Sequence, residues 1–520
     1  MFALTRRSFL ASTAAAAAAT AVHIPLTDAR GLLTDRLTED VIAAALAAAK
    51  AAGATYADVR LVRRRSERVS VRDDHVSGVG ASENYGVGVR VIAGGAWGFA
   101  ASARVDAKEA ARVAKLAVDV AKAGAVALRR PVALAPEAPH VAVWQTPLVQ
   151  DPFKIPIEDK AALLLDLTTE ARKVKGIQIA RASIQIAGEW KLFASSEGAM
   201  IEQSITRIDP GLGVTAVDAT SGRFASRGHD IQPRQAGWEY VADSTLRADA
   251  RKIGEDAVEK LNAAPVKAGR RDLILAPSNL WLTIHESVGH PTELDRMFGL
   301  EANFAGTSFL GASQLGKLTY GAPNVTIYAD KTTPGGLATC GYDDDGVQTQ
   351  RWDLVKDGRF VGVQTTRDQA SWIGETRSRG TSYAQDFSSV PFQRMPNVSL
   401  APGKKDLGLK DLVAASDDAI LVVGTGSWSI DHQRYNFQFT GEMFYEVKKG
   451  KVARTLRDVG YQSSTPEFWR SCDLVGGARE WALGGSFSDG KGEPMQINAV
   501  SHGCPPARFK QVSIINTGEV

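Results

Sequence analysis

Two histidines flank a glutamate in the segment His285-Glu286-Ser287-Val288-Gly289-His290. Two imidazoles and a carboxylate so close together match what a hydrolytic zinc site requires: neutral nitrogen ligands, an open coordination position for water, and a base beside it. The whole chain holds only 8 histidines, so pairing two of them about a glutamate weighs toward a metal. Glu293 and Asp295 follow closely and are candidates to brace the ligand rings from behind. The spacing is one residue longer than in the HExxH zinc helix, whose histidines stand four apart on one face. Along a regular α-helix a five-residue step turns by about 140° and points the rings apart, whereas one widened π-type turn brings them together. A local bulge or helix break at Gly289-His290 is therefore predicted, with Gly289 supplying conformational freedom and Pro291 disturbing the preceding turn.

The elements that must position this motif read as a strand over Arg271 to Ala276, a helix start at Pro277-Ser278-Asn279, and a helix over Leu280 to His290. Upstream, Thr38 can cap a helix that runs to Gly53, and Asp106 can cap another that ends at Gly124. Ile157 to Lys175 and Leu246 to Leu261 are helical by pattern, with alternating, strand-like segments between the helices. The expected fold class is α+β, with an N-terminal helix-and-sheet part and a larger sheet-rich C-terminal part carrying a metal-binding helix. The expected units are 37–124, a proline-rich connection over 125–156, a middle unit over 157–265, and a catalytic part over 271–520. Asp343-Asp344-Asp345-Gly346 reads as a turn rather than a cation site. His23, His75, His140, His229 and His432 lack ligand spacing.

At 520 residues the chain is long enough for two or three packed units. Its 44% hydrophobic and 23% charged residues describe an ordinary globular protein, and a net charge of +3 demands no polyanionic partner, so nucleic acid is not expected. Arg63-Arg64-Arg65 reads as a solvated strand edge. The N-terminus reads as a signal peptide over residues 1–21: Arg6-Arg7-Ser8-Phe9-Leu10 precedes an alanine-rich apolar run and Ala19-Thr20-Ala21, a small-residue cleavage site. The paired arginines match the twin-arginine route, so an exported, periplasmic protein is expected, with no membrane span in the mature chain. Cys340, Cys472 and Cys504 are too few and scattered for a disulfide framework.

The segment from His285 to Asp295 resembles the signature of TldD, the metallopeptidase of the TldD/PmbA (modulator of DNA gyrase) family. Other landmarks agree: Gly53 to Asp58, Gly86 to Arg90 before Trp97-Gly98-Phe99, Ser196-Glu197-Gly198, Asp343 to Gly346, and Val500-Ser501-His502-Gly503. The resemblance spans nearly the whole mature chain. It implies a zinc peptidase, one Zn2+ per chain, that cuts unfolded peptides or small proteins with relaxed sequence preference. The resemblance also implies a chamber enclosed by two subunits, as a homodimer or a heterodimer with a family member. It also implies that His285 and His290 bind the metal and that Glu286 is the general base.

In the TldD branch the third ligand is a cysteine directly before a C-terminal Gly-Lys pair, and here Asp489 stands before Gly490-Lys491. A carboxylate can take that place, with Cys504, His502 or Cys472 as alternative donors. The departure gives substance to a rival reading, a noncatalytic subunit that serves to enclose a partner's chamber. A metal-storage protein is a second rival, against which Glu286 argues, because storage needs no base beside an open position.

Overall fold

The computed structural model describes residues 36–518, and the expected signal peptide lies outside them. Helix α1 (Arg36–Ala51) buries Val41, Ile42, Ala45 and Ala49, one face at helical spacing. Thr38 lies two residues inside this helix and so does not cap it. Strands β1 (Tyr56–Arg72), β2 (His75–Ala93) and β3 (Ala96–Ser102) follow, then α2 (Ala107–Gly124). As predicted, Asp106 caps α2: its carboxylate accepts from the Glu109 amide at 2.8 Å.

Within the stretch expected as a connection, β4 (Val141–Gln145) forms a short strand. After it come α3 (Ile157–Arg172), β5 (Ile177–Ser195), β6 (Met200–Val217), β7 (Phe224–Gly228) and α4 (Leu246–Asn262). These strands make one seven-stranded sheet in the order β3-β2-β1-β5-β6-β4, with β7 also on β6. Because β1 pairs with β2 on one side and β5 on the other, the two N-terminal units share a sheet. They keep separate apolar clusters, one between the sheet and α1 with α2, the other between the sheet and α3 with α4. The arginine triplet does not lie on a strand edge, because β1 is paired on both sides there; Arg63 and Arg65 are half-exposed on one face of the sheet, while Arg64 donates to the Gln385 carbonyl.

The C-terminal part is built on a ten-stranded sheet. Its strand β8 (Gly269–Leu275) lies beside β9 (Asp418–Val423) in parallel and leads straight into helix α5 (Pro277–Ile284). A separate two-stranded hairpin, β10 (Ala482–Lys491) and β11 (Gln496–Cys504), is followed by β12 (Ala507–Asn516), which pairs antiparallel with the other side of β8. Flanked on both edges, β8 ends in the apolar run Leu273-Ile274-Leu275, which is fully buried. The mixed α+β class matches the sequence patterning. Among the described residues no helix is long and apolar enough to cross a membrane.

Asp343, Asp344 and Asp345 do form a turn closed by Gly346 at φ 78°, but a buried one. Asp345 binds Arg90 at 2.7 Å and Asp344 binds Lys191 at 2.7 Å, so these carboxylates tie the C-terminal part to the N-terminal sheet. Breaking one such buried pair from one side leaves an uncompensated charge, so Arg90→Ala is expected to destabilise the protein by about 3–5 kcal/mol. A denaturant midpoint within error of wild type would show that the pair contributes nothing.

Candidate metal centre

Helix α5 is anchored at its start by Asn279, whose amide donates to the Gly424 carbonyl at 2.7 Å and whose oxygen accepts from Tyr461 at 2.8 Å. After Ile284 the backbone widens into a π-helical turn over His285–Gly289, closed by the His290 amide donating to the His285 carbonyl. A 3-10 turn over His290–Thr292, with Pro291 inside it, then ends the segment. The five-residue spacing therefore brings the rings together: the centroids of His285 and His290 lie 4.6 Å apart. Widening the turn changes the carbonyl partners, and side chains take up several of them. Tyr320 donates to the Ser287 carbonyl, and Gln364 donates to that of Gly289 at 2.6 Å.

Gly289 serves the turn differently from the expectation. Its φ is an ordinary helical −55°, so conformational freedom is not what the site uses. Instead a Cβ there would sit 2.5 Å from the Met395 sulphur. Gly289→Ala is expected to cost about 1–3 kcal/mol by overpacking, with partial recovery when Met395 is also changed to Ala. Denaturant unfolding of both variants checks this, and an unchanged midpoint for the single variant would show that Met395 yields freely.

The third element is the β10–β11 hairpin. Ser486 pairs with Val500 but Asp489 pairs with Asn498, so β10 carries one extra residue between them. Opposite residues in an antiparallel pair share a face, and a one-residue shift exchanges the faces. The bulge therefore puts Asp489 on the same face as His502 and toward the histidines. Asp489 Oδ1 lies 3.5 Å from His285 Nε2 and 3.6 Å from His290 Nε2.

Around these three, the charges are arranged in depth. His290 Nδ1 meets Glu293 at 3.0 Å, and Glu293 in turn accepts from Lys491 at 3.0 Å. Asp295, expected to brace a ligand ring, touches neither histidine; it binds Lys491 at 2.9 Å and acts on the site only through it. Arg394 donates to Asp489 from the far side at 3.2 Å. Burial opposes ionisation of Asp489, yet the two imidazoles and Arg394 outweigh it and hold its carboxyl well below the usual range. Burial lowers His290 to about 4, so this ring is neutral near neutral pH. Burial also acts against the charge on His285, but the Asp489 carboxylate beside its Nε2 prevails and leaves that pKa raised.

Glu286 is buried, and its Oε2 has no hydrogen-bond partner. Arg434 Nε, equally unpartnered, lies 3.4 Å away without forming a hydrogen bond. Arg434 sits in a tight turn at φ 63°. Sequence reasoning missed Arg434, Arg394 and the bracing role of Lys491; the first two have no spacing signal, and Lys491 was visible only as part of the Gly-Lys pair.

Among the described residues, His285, His290 and Asp489 are the group able to hold a metal, their ligand atoms all within 4.8 Å of one another. For bonds of 2.0–2.1 Å to a tetrahedral zinc, neighbouring ligands stand roughly 3.3 Å apart. The two Asp489 distances lie just above that, and no two of the three ligand atoms are more than 4.8 Å apart, so the residues fit zinc. Cys504 does not join the group; its sulphur packs against the Pro277 carbonyl at 3.7 Å. Cys472 lies against the Leu474 carbonyl. His502 is behind His285 rather than beside Asp489, with its Nε2 2.8 Å from His285 Nδ1.

Comparison with known proteins gives three matches to one family: PmbA/TldA metallopeptidase domain 1 over residues 57–121, the central domain over 150–264, and the C-terminal domain over 268–516. A metalloprotease of Methanothermobacter thermautotrophicus is 27% identical over 462 residues, covering 89% of this chain and 96% of that protein. A zinc metalloprotease TldD homologue of Saccharolobus solfataricus is 22% identical over 262 residues, covering 49% of this chain and 54% of that one. In fold, the chain matches a solved structure of a proposed modulator of a DNA gyrase from Thermotoga maritima with a TM-score of 0.72, at 14% identity and over 92% of this chain and 100% of the other.

Proposed function

The chain belongs to the PmbA/TldD metallopeptidase family, and from that premise we propose that it hydrolyses peptide bonds with one zinc ion held by His285, His290 and Asp489. The observation that carries this reading is the convergence of those three donors beside Glu286, a buried carboxylate with an unpartnered oxygen. Zinc bound there supplies a lowered pKa for water and polarises a carbonyl oxygen. Glu286 takes the proton of the attacking water and later delivers it to the departing amine. Arg434, 3.4 Å from Glu286, holds the carboxylate in place between these two steps. Glu293 and Lys491 keep His290 facing inward, while Arg394 does the same for Asp489.

The proposed substrates are unfolded peptides or small proteins, bound as an added strand through their backbone with little regard for side chains. If altering the side chains of a test peptide changed cleavage more than methylating its backbone amides, this part of the proposal would fall. We further propose a dimer, with itself or with a family member, and export through the twin-arginine route. The first rests on the family resemblance and the second on Arg6-Arg7 before an apolar run.

The reading is tested by incubating the purified protein with an unstructured fluorogenic peptide. Cleavage is expected, lost on chelation and restored by zinc; a zinc-loaded chain that cleaves nothing would favour the noncatalytic partner reading. Replacing Arg434 by Met is expected to lower kcat by about tenfold to a hundredfold, with bound zinc unchanged, because the base loses its orientation rather than its chemistry. Steady-state kinetics check this, and an unchanged kcat would remove Arg434 from the mechanism.

A further inference from the structure

We propose that His502 is a positioning residue that selects the tautomer of His285 and so aims its lone pair at the metal. The inference rests on the zinc reading above and goes beyond it, because His502 holds no metal itself. Its Nδ1 lies 2.9 Å from the Val398 carbonyl oxygen, which can only accept, so Nδ1 carries the hydrogen. A neutral imidazole has one N–H, which leaves Nε2 of His502 as a lone pair. That lone pair is 2.8 Å from His285 Nδ1, which must then donate. The remaining nitrogen, His285 Nε2, is then the one that a metal ion can take, on the side where Asp489 lies 3.5 Å away. One backbone carbonyl thus dictates, through two rings, which nitrogen of His285 is free to ligate.

The structure also prevents the relay from turning over. His502 is fully buried on β11, and both of its nitrogens are engaged, one by the Val398 carbonyl and the other by His285. The Trp281 ring stacks parallel to it, 8° between planes and 6.1 Å between centroids. Gly484 stands opposite His502 in the hairpin, and a Cβ there would come within 2.2 Å of the Trp281 ring, so only glycine leaves room for the stack. Rotating the His502 ring by half a turn would lose both bonds at once.

The two ligands are therefore braced unequally. A buried carboxylate holds His290, which polarises its ring strongly; a neutral histidine holds His285 and fixes only direction. Losing the brace is expected to weaken zinc binding without removing a ligand.

The test uses the mature full-length protein and compares zinc affinity, by competition with a chromogenic chelator, among wild type, His502→Phe and His502→Gln. Phenylalanine keeps the ring and its stack but offers no nitrogen; glutamine can accept from His285 and donate to Val398. The expected result is affinity about 10–100-fold weaker in His502→Phe, largely restored in His502→Gln, with similar unfolding midpoints for the two. The absorption of the cobalt-substituted protein gives a second readout, changed in His502→Phe and near wild type in His502→Gln. Wild-type affinity in His502→Phe would overturn this inference alone. A wild-type protein that takes no zinc would overturn it together with the reading on which it rests.

Discussion

Glu286→Gln is expected to lower kcat by about 10³-fold or more while zinc stays bound and KM changes little. Glutamine has nearly the same shape, so the widened turn that carries it has no reason to move. Its amide oxygen cannot take the proton of the attacking water, and positioned general bases contribute about 10²–10⁴-fold to such reactions. Because the metal is held by other side chains, the variant separates the loss of the base from the loss of the ion. Peptide cleavage and metal content measured on one preparation are sufficient. Activity within tenfold of wild type would place the base elsewhere.

Asp489→Ala is expected to act on two properties together. It removes the donor that faces both Nε2 atoms, so zinc dissociates readily and cleavage ceases. It also takes the carboxylate from Arg394, which is almost completely buried. Arg394 keeps its bonds to the carbonyls of Asp489 and Gln496, so the cost belongs at the low end for a broken buried pair, about 3 kcal/mol. Asp489→Cys separates the two effects, because a thiolate can hold zinc but does not restore the carboxylate for Arg394. Zinc retained with lowered stability is the expected outcome for that variant. Full zinc binding in Asp489→Ala would show that the aspartate is a hairpin residue and not a ligand.

Much of this centre was legible in the chain because it depends on local spacing. A five-residue step between two histidines cannot face one ion on a regular helix, so a bulge or a helix break was expected at Gly289-His290, and the structure has a π-helical turn just before it, over His285–Gly289. The cap at Asp106 and the start of α5 near Pro277 were equally local. What could not be read depended on distant neighbours. The position of Asp489 rests on a bulge that shifts it to the other face of its strand, and hydrophobic pattern does not report a bulge in so short a hairpin. Arg434 approaches Glu286 from a turn far along the chain, and Gly289 is required by Met395 rather than by its own backbone angles. The two N-terminal units share a sheet because β1 pairs on both edges, a fact set by topology and not by composition. Thr38 failed as a cap because helix α1 already includes Arg36 and Leu37.

The central claim is that His285, His290 and Asp489 hold a zinc ion beside Glu286, and anomalous diffraction from crystals of the purified protein, recorded on both sides of the zinc absorption edge, tests it directly. One anomalous peak per chain, bonded to Nε2 of both histidines and to the Asp489 carboxylate, is the expected result. A peak held by other residues, or a clear map with no peak in crystals grown with zinc, would contradict it.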